Sequence, residues 1–313
     1  MRVVVCGEAL IDLIPDNSVP GTTQSSLWQA HSAGGPLNTA IALARLGLPA
    51  QFLGRLGGDG FGAQLRSHLA VNRVGLDMTV QTESEPTSLA IVSVDSTGQA
   101  TYTFHLLNTA NFNWTGQDFP QLSADDWLHT GSLVAVVEPG RSALLDYLST
   151  TPARLSFDLN VRPTVQPDRE RYAELLAPFL KVLGERGGIV RASDEDLRWL
   201  YPEGGASAQD IAAGMAREHG LDLVVVTAGG EGAFAVGADR EPVSVPGIPT
   251  AVADTVGAGD TFTAGFLSVW LSDDQDLVRA LRTGCAAASI TCSRIGANPP
   301  DADEVRALLS SRS

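Results

Sequence analysis

The sequence predicts an α/β domain in which a parallel sheet is covered by helices on both faces and carries a small β-sheet lid. Three observations lead there. Short apolar runs of strand type alternate with segments of helical period through most of the chain. One pair of alternating runs joined by turn residues breaks that rhythm as a hairpin would. No repeat, low-complexity tract or Pro/Gly linker divides the 313 residues, so residues 1–313 are expected to form one domain, with lid segments at about 13–30 and 86–108 inserted in it.

The elements follow in order. Residues 3–6 (VVVC) form a buried strand, 37–46 a helix, 50–56 a strand and 61–71 a helix. Residues 13–30 lack helical period and supply strands to the lid. The runs 88–94 and 101–106, joined by DSTGQA, form its hairpin. Strands are expected at 127–131, 155–158, 189–192 and 223–227, with helices at 142–148, 169–183 and 208–219 between them. After Val243 a loop runs through Asp254, and two or three helices close the chain. Phe262, Phe266, Val269 and Trp270 fall at i, i+4, i+7 and i+8, which is one face of a helix beginning near Asp260.

Composition excludes several functions. A net charge of −15, with Lys181 the only lysine, opposes binding to nucleic acid or an anionic membrane, because phosphate neutralisation supplies most of that affinity. The opening MRVVVCGEALIDLIP is too interrupted by Gly7, Glu8 and Asp12 for a secretory signal. No run approaches the ~18 apolar residues of a membrane span. A cytoplasmic location is the default expectation. Cys6, Cys285 and Cys292 lack metal spacing and are expected as reduced core residues, and the five scattered histidines define no zinc site.

The chemistry concentrates in ADTVGAGDTFTAGF, residues 253–266. A helix N-terminus presents unpaired N–H groups and the positive end of the dipole, and so attracts anions. Gly257 and Gly259, having no Cβ, let a phosphate approach those groups closely. Asp260 then stands where a base would take a proton from a hydroxyl receiving a phosphoryl group. The dipole should lower its pKa, leaving position as its asset. Read alone, the stretch fits a simple helix cap equally well.

Two other nucleotide signatures fail. GDGFGA at 58–63 fits a dinucleotide G-x-G-x-x-G/A pattern but lies away from the first βα turn that the pattern requires, and Asp59 is better placed as a helix cap. A Walker loop needs Gly-Lys-Ser/Thr, and Lys181 is followed by Val182.

AGGPLNTAIALARLG at 33–47 together with DTVGAGDTFTAGF at 254–266 closely resembles the two signatures of the PfkB, or ribokinase-like, carbohydrate kinases. GEALIDLIP, GRLGGDGFG, FDLNVRP and VVVTAGGEGAF extend the resemblance through the whole chain, with bacterial fructokinases most similar and 2-keto-3-deoxygluconate kinases next. The resemblance implies a three-layer α/β/α ribokinase-like (Rossmann-like) domain with a β-sheet lid. It also implies an ATP-dependent kinase acting with Mg²⁺.

By position, the resemblance implies Asp260 as catalytic base and the backbone of Gly257, Ala258 and Gly259 as the anion hole. Asp12, Gly34, Gly35 and Asn38 would hold the sugar, for which a carboxylate, a carboxamide and exposed backbone N–H groups are suited. Tyr102 and Phe104 of the lid would add to that site. Arg162 would face the substrate, binding either a phosphate oxygen or a sugar-acid carboxylate. Thr227, Gly229 and Gly232 would form the nucleotide-phosphate loop, a stretch that also reads as a hairpin turn. Ser193 and Asp196 stand where the family has Asn and Glu to organise magnesium through water, a departure that weakens this assignment, and Asp194 competes as a helix cap. The family also admits a potassium site near Asp254 and the loop around Gly296, and pairing of two copies through their lids into a homodimer.

The expected reaction is phosphorylation of the primary hydroxyl of a keto-hexose, D-fructose to fructose 6-phosphate in the first place. The alternatives are another sugar kinase of the family, such as one for 2-keto-3-deoxygluconate, and a non-catalytic sugar sensor.

Overall fold

A computed structural model describes residues 1–313 apart from 17, 19–21, 23, 95–99, 203, 204, 239, 273, 274 and 313. Its elements run β1 (Val3–Cys6), β2 (Leu10–Pro15), β3 (Trp28–Ala33), α1 (Gly35–Arg45), β4 (Ala50–Leu53), β5 (Arg55–Leu56), α2 (Gly60–Val71), β6 (Val80–Gln81), β7 (Leu89–Val94) and β8 (Ala100–His105). Then follow β9 (Trp127–Gly131), α3 (Gly140–Thr150), β10 (Arg154–Asp158), α4 (Arg169–Glu185), β11 (Ile189–Ser193), α5 (Asp194–Leu200) and α6 (Ala208–His219). The last elements are β12 (Leu223–Thr227), β13 (Gly232–Gly237), β14 (Arg240–Pro246), α7 (Ala258–Trp270), α8 (Leu277–Cys292) and α9 (Ala302–Ser310).

The main sheet has the order β14-β13-β12-β11-β10-β9-β1-β4. Its pairs are parallel from β4 across to β12 and antiparallel only through β13 and β14. Because β1 and β9 to β12 are covered on both faces, they are buried almost throughout, and β1 and β12 read as nearly continuous apolar runs. One face packs Leu144, Tyr172, Leu197 and Met215 from α3 to α6. The other packs Leu37, Leu65, Phe262 and Leu281 from α1, α2, α7 and α8. The three-layer architecture is therefore present.

The lid is a separate sheet ordered β3-β2-β7-β8. Its β7–β8 hairpin is antiparallel as expected, while the connector at 95–99 lies outside the described residues. Asp59 caps α2 by accepting the Gly62 N–H and also accepts the N–H and hydroxyl of Thr87. One carboxylate thus fixes a helix start and anchors the segment leading into the lid.

Two strand expectations need correction. The strand expected at 50–56 breaks at Gly54, where a Cβ would stand 2.2 Å from the Phe52 ring. β5 leaves the main sheet there and pairs with β6. The loop expected after Val243 begins later, because β14 continues to Pro246 as the partner of β13. Cys6 and Cys285 are buried, Cys292 is half-buried, and all three are free thiols.

Candidate active site

Two cavities meet at the carboxyl ends of the parallel strands, where open α/β sheets place their ligands. One, of about 510 Å³, lies under the lid and is lined by Asp12, Gly34, Gly35, Asn38, Tyr102, Phe104, Arg162, Gly257, Gly259 and Asp260. These residues come from segments spread from the first strands to α7, so the fold gathers around one cavity all of those expected near an acceptor. The other, of about 480 Å³, is lined by Thr227, Gly229, Gly232, Ala258 and Gly259, with Ala288, Ser289 and Cys292 of α8 forming part of its wall. Arg191, Thr255 and Gly259 line both cavities.

The junction is built by the start of α7. Gly257, in the left-handed region at φ 75°, turns the chain into the helix. Of the expected trio of anion-hole amides, Ala258 N–H donates to the Thr255 carbonyl at 3.2 Å. Among the described residues the Gly257 and Gly259 N–H groups have no backbone partner outside regular helix bonding, and they remain available to an anion. Gly259 has a second reason to lack a side chain. A Cβ there would lie 2.8 Å from the Arg191 guanidinium.

Asp260 is held by Asn38, whose Nδ2 donates to Oδ2 at 2.8 Å. Its other oxygen, Oδ1, is 3.3 Å from where a Cβ on Gly35 would be, so the second glycine of the Gly34-Gly35 pair keeps this carboxylate accessible. The acidity of Asp260 runs opposite to the direction expected from the helix dipole. Burial raises its pKa to about 6, against the Asn38 hydrogen bond, and Asp158 pushes it the same way. Burial likewise raises Asp12 to about 6, with His31 and Arg162 opposing.

Arg162 lies on the acceptor side and is positioned by its own backbone. Its N–H donates to the buried Tyr172 hydroxyl at 3.1 Å, and its Nη1 donates to the Val161 carbonyl at 3.0 Å. The neighbouring Val161 N–H donates to Asp196 Oδ1 at 2.8 Å. Ser193 and Asp196 form a reciprocal capping box at the start of α5, with Ser193, not Asp194, as the cap residue. Both Asp196 oxygens accept backbone N–H groups, and neither residue lines the two cavities. This donor set fits a loop clamp better than direct metal ligation. Asp254 Oδ2 accepts the Gly296 N–H at 2.8 Å, which brings the two expected potassium segments together.

Sequence reasoning missed Arg191, Asp158 and Glu8. Arg191 donates from Nη1 to both Asp158 oxygens at 3.2 Å and from Nη2 to Thr227 Oγ1 at 2.6 Å. The pair is adjacent because Asp158 and Arg191 are register partners on β10 and β11. Charged residues in or beside otherwise apolar strands were the available signal. Glu8, just beyond β1, lines the acceptor cavity.

Two adjoining cavities, the Asp260 carboxylate next to Gly259 where they meet, and N–H donors at a glycine-rich helix start suit a small-molecule phosphotransferase. Residues 1–304 match the pfkB family carbohydrate kinases, and the chain belongs to that family. A fructokinase from Salmonella typhimurium is 33% identical over 273 residues, covering 85% of this chain and 83% of the relative. The crystal structure of a Xylella fastidiosa fructokinase with bound ATP superposes with a TM-score of 0.86 at 25% identity, over 99% of this chain and 98% of that one. A fructokinase from Vibrio cholerae O395, with fructose, ADP and calcium bound, gives 0.80 at 26% identity over 98% of each chain.

Proposed function

We propose that the chain transfers the γ-phosphoryl group of ATP to the primary hydroxyl of D-fructose, giving fructose 6-phosphate and ADP. The observation that carries this reading is Asp260, half-buried on the acceptor cavity beside Gly259, which lines both cavities, and held by Asn38. The fructokinase relative and the fructokinase structures with ATP, or with fructose and ADP, support the choice of both substrates.

In this reading Asp260 takes the proton of the attacking hydroxyl as that oxygen bonds to the γ-phosphorus and the bond to the β-phosphate oxygen breaks. Gly257 and Gly259 N–H groups stabilise the charge on the transferring group, and Thr227, Gly229 and Gly232 hold the nucleotide phosphates. Mg²⁺ bound with the nucleotide would neutralise phosphate charge, with Ser193 and Asp196 touching its hydration shell only through water. Potassium near Asp254 would act structurally on the loop that precedes α7. The β7–β8 hairpin, carrying Tyr102 and Phe104, closes over the sugar and excludes water.

The lid exposes Ile14, Trp28 and Tyr102, apolar surface that suits pairing with a second copy. Sedimentation at micromolar concentration tests the homodimer, and a monomer at every concentration would end it. Among the described residues no helix is long and apolar enough to cross a membrane, and a cytoplasmic site of action is part of the proposal.

The deciding experiment is ADP release from ATP-Mg²⁺ with fructose, 2-keto-3-deoxygluconate, ribose, tagatose, nucleosides and fructose 6-phosphate as acceptors. Fructose-dependent turnover is expected. Preference for the keto-deoxy acid would instead assign Arg162 to a carboxylate, and no sugar-dependent turnover would leave a sensor. Arg162→Ala is expected to lower kcat/KM for the accepted sugar about tenfold or more, the scale of a charge-assisted hydrogen bond; unchanged kinetics would make the arginine a bystander.

A further inference from the structure

Gly7, Glu8 and Ala9 join β1 to β2, and Glu8 is only 1% exposed while lining the acceptor cavity. Its Oε2 has no hydrogen-bond partner among the described residues. An unpaired buried polar oxygen is costly, and a carboxylate oxygen more so. Asp196, also buried, shows how this chain treats an acid with a structural role, since backbone N–H groups meet both of its oxygens. Glu8 departs from that pattern, and it does so at the wall of a cavity.

The surroundings orient the unpaired oxygen. Asn160 Nδ2 donates to Ser132 Oγ at 3.0 Å, so the Ser132 hydroxyl proton is directed elsewhere, and Ser132 is a hydrogen-bonding neighbour of Glu8. Ser132 and Asn160 both hold left-handed backbone, at φ 63° and 38°, a conformation that costs energy outside glycine and clusters at functional sites. The charged groups around Glu8 are Arg162 and Asp260, with Asp12 on the same cavity. Burial raises the Glu8 pKa to about 7, with Ser132 and Arg162 opposing and Asp260 adding to the rise.

We propose that Glu8 determines acceptor specificity by accepting a hydrogen bond, through Oε2, from a hydroxyl of the bound polyol other than the one being phosphorylated. This rests on the reading of the chain as a sugar kinase. An acceptor lacking that hydroxyl leaves Oε2 unpaired, and one presenting a carboxylate there meets like charge. Discrimination by a buried unpaired group is strong for this reason.

The test uses the full chain with Glu8→Met, which removes the oxygens at similar length, and Glu8→Gln, which keeps one acceptor. For Glu8→Met the acceptor KM is expected to rise about tenfold or more, with the KM for ATP unchanged and Tm equal or higher. Glu8→Gln should fall between this variant and the unsubstituted enzyme. A structural acid would instead lower Tm and leave the acceptor KM alone.

Singly deoxygenated forms of the accepted sugar complete a double-substitution cycle. One analogue should lose efficiency with the unsubstituted enzyme yet lose little more in Glu8→Met. Penalties that multiply for every analogue, or an acceptor KM within twofold in both variants, would overturn the proposal. If Glu8→Met fails to fold, the same cycle with Glu8→Gln decides. Failure of the fructose reading appears separately, as lack of fructose turnover by the unsubstituted enzyme. The cycle then runs on whichever sugar it accepts, and acceptance of none overturns both readings.

Discussion

Asp260→Asn is expected to lower kcat at least ~10²-fold while leaving ATP and sugar binding nearly intact, as loss of a positioned base should. The asparagine keeps the shape and can still accept from Asn38, so folding is spared. The pH profile provides a second readout. With a pKa raised to about 6, Asp260 is protonated and inactive well below that pH. kcat at saturating sugar should therefore climb as pH rises through about 6 and level off above about 7. Saturation matters because Asp12, raised to about 6, and Glu8, raised to about 7, lie on the same cavity and would otherwise enter through sugar binding. A loss below tenfold with the pH limb retained would reduce Asp260 to a helix cap.

Arg191→Met should produce the largest change in stability. Arg191 and Asp158 are an ion pair whose side chains are 10% and 7% exposed, and removing one partner of a buried pair costs ~3–5 kcal/mol because the other charge is stranded. The same substitution takes the guanidinium from the boundary of both cavities, and kcat should fall ~10²-fold, the scale for loss of a single stabilising donor. Denaturant unfolding separates the two effects. Adding Asp158→Asn removes the stranded charge, so the double variant should recover much of the stability without recovering kcat. Strict additivity in stability would show that the pair is not coupled, and recovery of kcat would show that Arg191 acts only through the fold.

The layers were legible because backbone period and burial speak the same language: β1, β9 and β12 fall at the expected residues. The break at Gly54 was not, since it depends on the direction of the Phe52 ring. In the site, the glycine-rich start of α7 announced an anion and a carboxylate at one place. The acidity of that carboxylate was hidden, because the dipole is a property of the helix while desolvation and the charge of Asp158, which together raise its pKa, come from the fold. Arg191 escaped notice for a related reason. Inside VRAS it looks like an interruption of a strand, and only pairing with the strand bearing Asp158 gives the charge its partner. Asp196 was legible as a polar residue at a helix start, yet its grip on the Val161 amide spans 35 positions.

The root of the lid has a mechanical consequence. Three buried residues, Gly7 to Ala9, separate the main sheet from the lid sheet, and they are pinned. Gly7 N–H donates to the Leu53 carbonyl, and Ala9 exchanges hydrogen bonds in both directions with the Asn111 side chain. The lid is consequently a cantilever, clamped at one end, rather than a door on a hinge. Its fixed end carries Glu8 and Asp12 at the floor, and its free arm carries Tyr102 and Phe104. In the proposed reaction an arriving sugar would meet the pinned end of the lid first, and the arm bearing Tyr102 and Phe104 would bend to enclose it.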